Sequence, residues 1–557
     1  MTIVTYIIIF FFSLIGSVVS IPYLIKYLTY SNIVDRPGTR RINKNIIPRM
    51  GGIVIYAAVS VTMFAFYKNI NFSRPLILAS LAIVIVGIWD DIKGLKWSYK
   101  LAIQYLAALL LISFFHPLFE EIEFFGLILP FPLNYIILVL FIMGAINSIN
   151  FMDGLDGLVA GFTLQISWMI IILASLSGNQ FLLIIITALL GSILGFLKYN
   201  AYPAKIFLGD TGSLTIGLFL VFGAMYISLD YRKELLDLTF PTMLLGVPII
   251  DASKVIIIRI KEKKSPFYPD QNHLHHIIIN GKVRHKITVA YILFLSSMFA
   301  MDALIYIKLN EFLSIIIFFT LGFVLFFTKQ MLPAAAKIKL LIVFKNRIIS
   351  LIEKRFVQFY EMFLFVSVPS VIAIILFLFP ISSKMNFKEL IAIFVSIIIM
   401  FIASFIRRSQ NDYLKDIYVL FNFSIFFVIG NFSSSIITNN ESGHVVYKYL
   451  MLVSLILLSV LFIVFLFKRE SQNSEGKVFL SGLDITLIII LISFYVFTII
   501  MPNNKFGFVE INFWETIIIF LWYKMVVYLD KKLSNTLYYL SYALPILSII
   551  SIIIFSK

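Results

Sequence analysis

Residues 133–157 read LNYIILVLFIMGAINSINFMDGLDG, and this stretch decides the fold. Its first part, 133–146, is an apolar run of the kind that crosses a bilayer. The rest sets two asparagines three apart, Asn147 and Asn150, before two aspartates three apart, Asp153 and Asp156, and a glycine follows each aspartate. Carboxylates at a bilayer boundary are costly unless they face water, a cation or a substrate. Glycine lets the backbone approach a ligand closely, and carboxamide and carboxylate oxygens are hard ligands suited to Mg²⁺. Helix capping explains one residue of such a set, because the next apolar run begins here. Four at regular spacing ask for chemistry.

Working outward, the same signature of long apolar runs fills the chain. Its 557 residues are 61% hydrophobic and 13% charged, with a mean hydropathy of +0.99. Soluble domains run at roughly 45–50% apolar and about 25% charged. The composition therefore predicts an all-α polytopic integral membrane protein. Runs of about 17–25 residues give about eleven spans in the first part. They lie near 3–28, 50–67, 74–89, 97–115, 133–149, 158–176, 181–199, 213–229, 239–258, 286–307 and 311–328. The first is too long for the apolar region of a cleaved signal peptide and reads as a retained helix. A basic and apolar alternation at helical spacing, 336–358, reads as an interfacial amphipathic helix. About seven further spans follow, near 359–379, 388–406, 415–436, 446–467, 482–501, 513–529 and 536–555. The expected division is 1–330, an amphipathic linker 331–357, and a second multi-spanning domain 358–557.

Charge orients the chain. The loop 31–49 carries Arg36, Arg40, Arg41, Lys44 and Arg49, and 259–286 carries seven Lys or Arg, whereas 116–132 carries none and has Glu120, Glu121 and Glu123. Positive-inside reasoning puts the basic loops in the cytoplasm and the N-terminus outside. The formal charge of +16 then reflects these loops and anionic membrane lipids, with no nucleic acid implied. The absence of cysteine excludes disulfides, thiolate metal sites and cysteine nucleophiles.

The remaining motifs fall on that same cytoplasmic side. In GIWDDIKGL, adjacent Asp90 and Asp91 repel, so one is expected to engage a cation, a lysine or a proton. Lys100, nearby in WSYKLAIQ, suits a phosphate as a point charge. In 198–213, KYNAYPAKIFLGDTGS, Asp210 is a candidate Mg²⁺ ligand, and the helix start after it is expected to take a diphosphate oxygen. In 269–276, PDQNHLHH, His273, His275 and His276 are three of only six histidines, and they suit the phosphates and sugar of a nucleotide. Asp251 and Lys254, three apart, are expected to pair on one helix face.

In their order, VDRPGTRR…IPRMGG, WDDIKGL, NSINFMDGLDGL, FLGDTGS and PDQNHLHH resemble the polyprenyl-phosphate N-acetylhexosamine-1-phosphate transferases. The HLHH form and the DRP…IPRMGG loop resemble the bacterial undecaprenyl-phosphate GlcNAc-1-phosphate transferase branch. The resemblance covers roughly 1–330. It implies that UDP-HexNAc and undecaprenyl phosphate react to give undecaprenyl-diphospho-HexNAc and UMP, with Mg²⁺ as cofactor and Mn²⁺ as the alternative. Carried over, Asn150 and Asp210 would bind the metal, and Asp153 would assist attack by the lipid phosphate. Asp90 and Asp91 would position or deprotonate that phosphate, and Lys100 would hold it. Asn147 and Asp156 would shape the nucleotide pocket, and the three histidines would contact phosphate or sugar. Implied partners are the two substrates, membrane lipids, downstream glycosyltransferases and a second copy in a homodimer.

Two departures stand out. Asn43 occupies a position where the family commonly has histidine, and 331–557 is a tail the family does not require. The rival reading is a secondary transporter, whose polar residues sit near the bilayer midplane and which usually shows paired repeats. Here the polar residues sit at span ends and no repeat is visible. A non-catalytic scaffold would not need every motif carboxylate, and all are present.

Overall fold

The computed structural model describes residues 3–35, 46–119, 121–233, 235–266, 271–281 and 283–328. The linker and the spans expected beyond 330 lie outside these residues. So do Arg36, Arg40, Arg41, Asn43, Lys44 and Glu120.

Each span expected before 330 is helical. The helices are α1 (Ile3–Tyr30), α2 (Gly52–Phe66), α3 (Ile70–Lys93), α4 (Trp97–Phe115), α5 (Leu133–Phe151), α6 (Leu158–Ser177) and α7 (Gln180–Asn200). After them come α8 (Gly209–Arg232), α9 (Thr239–Leu244), α10 (Gly246–Lys261), α11 (Leu274–Asn280), α12 (His285–Lys308) and α13 (Glu311–Phe326). Eight of these, α1, α3 to α8 and α12, are long and apolar enough to cross a membrane. Helices α2 and α13 are apolar but shorter.

The expected single span 239–258 is in fact broken, with α9 ending at Leu244 and α10 starting at Gly246. Pro248 cannot donate to the carbonyl four residues back, so it suits the first turn of a new helix and not the middle of an old one. Gly246 packs directly against the Phe299 ring of α12, where a side chain would not fit.

Helices α6, α7 and α8 form the enclosed centre. On α7, Gly191 and Gly195 bring the backbone of α1 into contact, at Phe10 and Leu14. This is the small-residue spacing by which helices approach closely in lipid. Helices α1, α3, α4 and α5 each leave large apolar side chains on their outer faces, among them Phe12, Ile85, Leu106 and Leu140.

Two small sheets depart from an all-helical reading. Strands β1 (Val34–Asp35) and β2 (Ile47–Pro48) pair antiparallel. Strands β3 (Glu121–Phe124), β4 (Leu127–Ile128) and β5 (Leu235–Asp237) form a sheet of order β4-β3-β5. The β3–β4 turn is Phe125-Gly126, with φ of 50° and 79°, the positive pair that matches strand twist in a two-residue hairpin. Pairing β5 in parallel with β3 satisfies backbone groups of both linkers, and it carries the acidic segment with Glu121 and Glu123.

Candidate active site

Asp90 and Asp91 end α3, Lys100 lies in the first turn of α4, and Asp210 opens α8. The Lys100 ammonium is 2.8 Å from Asp90 Oδ2 and 2.7 Å from Asp210 Oδ2. The second Asp90 oxygen accepts the Leu95 N–H at 2.7 Å, which fixes the turn between α3 and α4. Asp91 is spent differently. It accepts the backbone N–H groups of Asp210 (3.1 Å) and Thr211 (3.0 Å) and the Thr211 hydroxyl (2.7 Å). The sequence assigns the start of α8 to a diphosphate oxygen; in the structure these two N–H donors hold the carboxylate of Asp91, an N-cap supplied by another helix. Gly209, at φ 69°, packs on that carboxylate.

The segment 48–52 is sewn to the same loop. Phe207 N–H donates to Pro48 O, Gly51 N–H to Phe207 O, and Gly52 N–H to Leu208 O. Gly52 lies on Gly212, and Gly87 of α3 on Thr211, contacts too close for any side chain. The glycines of IPRMGG thus pack the FLGDTGS turn into place. Arg49 forms an ion pair with Asp35 at 2.9 Å.

The stretch 147–157 meets these residues from α5. Asn150 Nδ2 donates to Asp210 Oδ2 at 3.3 Å. Asn147 exchanges two amide hydrogen bonds with fully buried Gln104 of α4, at 2.6 and 3.1 Å, and donates to Met143 O. Asp156 accepts the Ala204 N–H at 3.0 Å, while Asn200 accepts the Gly157 N–H and donates to Ile206 O. Together they staple the loop 201–208 to the second DG pair.

The Asp153 N–H donates to Asn150 O at 3.0 Å, while its carboxylate takes no hydrogen-bond partner among the described residues. It keeps a partial opening to solvent yet is densely surrounded. Burial first, then the charges of Asp210, Asp91 and Asp156, push its carboxyl up to about 8.

The histidines arrive on the other side. Asp251 of α10 accepts from His273 Nδ1 at 2.9 Å and from the Leu274 N–H at 2.8 Å. The expected Asp251–Lys254 pairing is therefore replaced; Lys254 lies 5.8 Å from the centre of the Phe326 ring. His273 packs on Phe151 and lies parallel to His275, whose ring abuts Gly154. His276 lies 4.2 Å from His275, ring centre to ring centre. Burial, then the neighbouring His276 and His273, hold the His275 imidazole well below its usual value, and so neutral.

The structure thus brings Asp90, Asp91, Lys100, Asn147, Asn150, Asp153, Asp156, Asp210, His273, His275 and His276 to one end of the bundle. Pro269 and Asp270, ahead of the histidines, lie outside the described residues. Gln104 and Asn200 are the residues of this site that sequence reasoning misses, whereas the Thr211 hydroxyl and N–H, read in the sequence as donors to an anion, donate to Asp91. For Gln104 the one signal is a polar residue inside an apolar run; Asn200 lies in a polar segment and has no such signal.

No three His, Asp or Glu side chains converge on a point as a ready-made metal cage among the described residues. The donor chemistry nevertheless fits Mg²⁺. The group is rich in oxygen ligands, its carboxylates outnumber the one ammonium between them, and Mg²⁺ commonly takes one or two carboxylates plus substrate phosphates.

Comparison with known proteins finds one superfamily of transferases. The model of glycosyl transferase family 4 matches residues 74–228. A probable undecaprenyl-phosphate N-acetylglucosaminyl 1-phosphate transferase of Bacillus subtilis (strain 168) is 32% identical over 321 residues, 56% of this chain and 88% of the relative. A phospho-N-acetylmuramoyl-pentapeptide-transferase of Caldicellulosiruptor bescii is 32% identical over 330 residues, 56% of this chain and 98% of the relative. An undecaprenyl-phosphate alpha-N-acetylglucosaminyl 1-phosphate transferase of Thermotoga maritima is 30% identical over 247 residues, 44% of this chain and 73% of the relative.

Proposed function

This chain belongs to glycosyl transferase family 4, the multi-pass polyprenyl-phosphate hexosamine-1-phosphate transferases, and on that premise we propose that it transfers GlcNAc-1-phosphate from UDP-GlcNAc to undecaprenyl phosphate. UMP leaves, and the product starts a lipid-linked surface glycan. The observation that carries the reading is the Lys100 ammonium held between Asp90 and Asp210, with Asn150 on the same Asp210 oxygen. Phosphoryl transfer between two anions needs charge neutralisation and alignment more than covalent help.

In this reading a lipid phosphate oxygen attacks the sugar-bearing phosphorus of the UDP-sugar, the diphosphate P–O–P bond breaks, and UMP takes the bond electrons. Lys100 neutralises the incoming lipid phosphate and holds it beside Asp90. Asp153, whose raised pKa makes its carboxylate a stronger base than an ordinary aspartate, accepts a proton from that phosphate. Asn150 and Asp210 would hold Mg²⁺, which when bound supplies charge neutralisation for the diphosphate. Asp156 and Asn200 shape the loop beneath the nucleotide, and the histidines meet its phosphates and sugar.

The site would lie on the cytoplasmic face. The basic loops support this. Exposed Trp89, Trp97 and Tyr99 beside Asp90 and Lys100, residue types that collect at both membrane–water boundaries, support a boundary position without choosing the face.

The test is UMP release by the purified full-length protein, given undecaprenyl phosphate, Mg²⁺ and a panel of donors: UDP-GlcNAc, UDP-GalNAc and a UDP-6-deoxy-HexNAc. Preference for UDP-GlcNAc is expected. Preference for another donor would replace the sugar and keep the reaction, and silence with every donor would remove the reaction.

A further inference from the structure

We propose that Asp251 is a positioning residue for this reaction, fixing His273 so that its second ring nitrogen, Nε2, is the one presented to the nucleotide sugar. The inference rests on the transferase reading above and concerns a residue outside the motif set. Asp251 is 7% exposed and His273 is 6% exposed, so the pair is buried but not closed off. Both carboxylate oxygens are committed, one to His273 Nδ1 at 2.9 Å and one to the Leu274 N–H at 2.8 Å. A carboxylate on Nδ1 keeps the proton there, which decides the tautomer and leaves Nε2 as the working atom.

The ring plane is fixed as well. His273 packs on Phe151, with ring centres 5.5 Å apart, and on His275, at 6.0 Å and 7° from parallel. His275 in turn presses on Gly154, the neighbour of Asp153. A single carboxylate on α10 therefore sets the histidine face relative to the catalytic loop. Phe151 and Gly154 belong to the 147–157 stretch, so a shift of His273 would be felt there directly.

The test is a double-mutant cycle on the full-length protein, with Asp251→Asn, His273→Gln and the double variant assayed by UMP release. Asparagine keeps size and an acceptor for Leu274 but offers its NH₂ to Nδ1, which moves the ring proton to Nε2. Asp251→Asn is expected to lower kcat/KM for the UDP-sugar about 10–100-fold, taking the scale known for carboxylates that orient metal-ligating histidines. KM for undecaprenyl phosphate and the melting temperature should stay unchanged. The double variant should lose no more than His273→Gln alone, and Asp251→Glu, which restores a carboxylate, should recover part of the rate.

Three results would overturn the proposal: wild-type kinetics in Asp251→Asn, losses that simply multiply in the double variant, or a loss that tracks a lowered melting temperature in both Asp251→Asn and Asp251→Glu. A wild-type protein silent with every donor would instead remove the transferase reading, and this proposal with it.

Discussion

The Lys100 ammonium lies 2.7 Å from Asp210 Oδ2, a contact between residues 110 apart in sequence. Because Lys100 also holds Asp90 at 2.8 Å, one cation links the end of α3, the start of α4 and the start of α8. Replacing it by Met should cut the rate of UMP release by about 10²–10³-fold, the scale seen when one charge-stabilising group is removed from a reaction centre. Lys100→Arg should retain part of the rate, because the charge survives although its geometry changes. Steady-state kinetics on the two variants would check this; equal loss in both would deny that charge is what matters.

Asp91 and Gly209 make a structural prediction. Asp91→Ala removes an acceptor from two backbone donors and a hydroxyl at the start of α8, and should cost about 0.5–2 kcal/mol, as other lost caps do. Gly209→Ala meets two penalties at once, a φ of 69° and a Cβ driven into the Asp91 carboxylate. It should destabilise by about 1–3 kcal/mol, the range for an overpacked site. Thermal unfolding in detergent would order the variants, with Asp91→Asn closest to wild type.

Asp153 predicts a pH dependence. Its folded-state carboxyl is pushed up to about 8, from an unfolded value of about 4. Between those values the folded protein binds the proton more tightly than the unfolded chain, so this group lowers stability as pH rises. In the presence of a chelator, Asp153→Asn should melt above wild type at pH 8, and the gap should close toward pH 5. Partial access of solvent to Asp153 keeps the effect modest. Melting curves at the two pH values decide it, and a gap that widens on acidification would contradict the account.

Much of this site was legible in the sequence because charge and hydropathy act over whole loops. Asp90 and Asp91, the 147–157 stretch, Asp210 and the three histidines could be placed on one side from the positions of basic loops alone. What escaped were long-range pairings between individual groups. Asp251 has Lys254 one turn away, and local spacing favoured that partner; only tertiary packing brings His273, 22 residues on, to its carboxylate. The free donors at the start of α8 looked like an anion site, and nothing local said that Asp91 fills it. The break at Leu245 interrupts an apolar stretch that reads as continuous, because hydropathy does not register the missing donor of Pro248. The β3–β4 hairpin turns on Phe125-Gly126, which carries a weaker turn signal than Asn-Gly would.

We propose that the oxygens gathered around Asp210 serve a metal-assisted transfer to a lipid phosphate. The most direct measurement is UMP release by the full-length protein from UDP-GlcNAc and undecaprenyl phosphate, with Mg²⁺ or with EDTA, in wild type and in Asp210→Asn. The account predicts release that needs both the lipid phosphate and Mg²⁺, and a loss of about 10²-fold or more in Asp210→Asn with the fold intact. Release that persists in EDTA, or an Asp210→Asn variant as active as wild type, would contradict it.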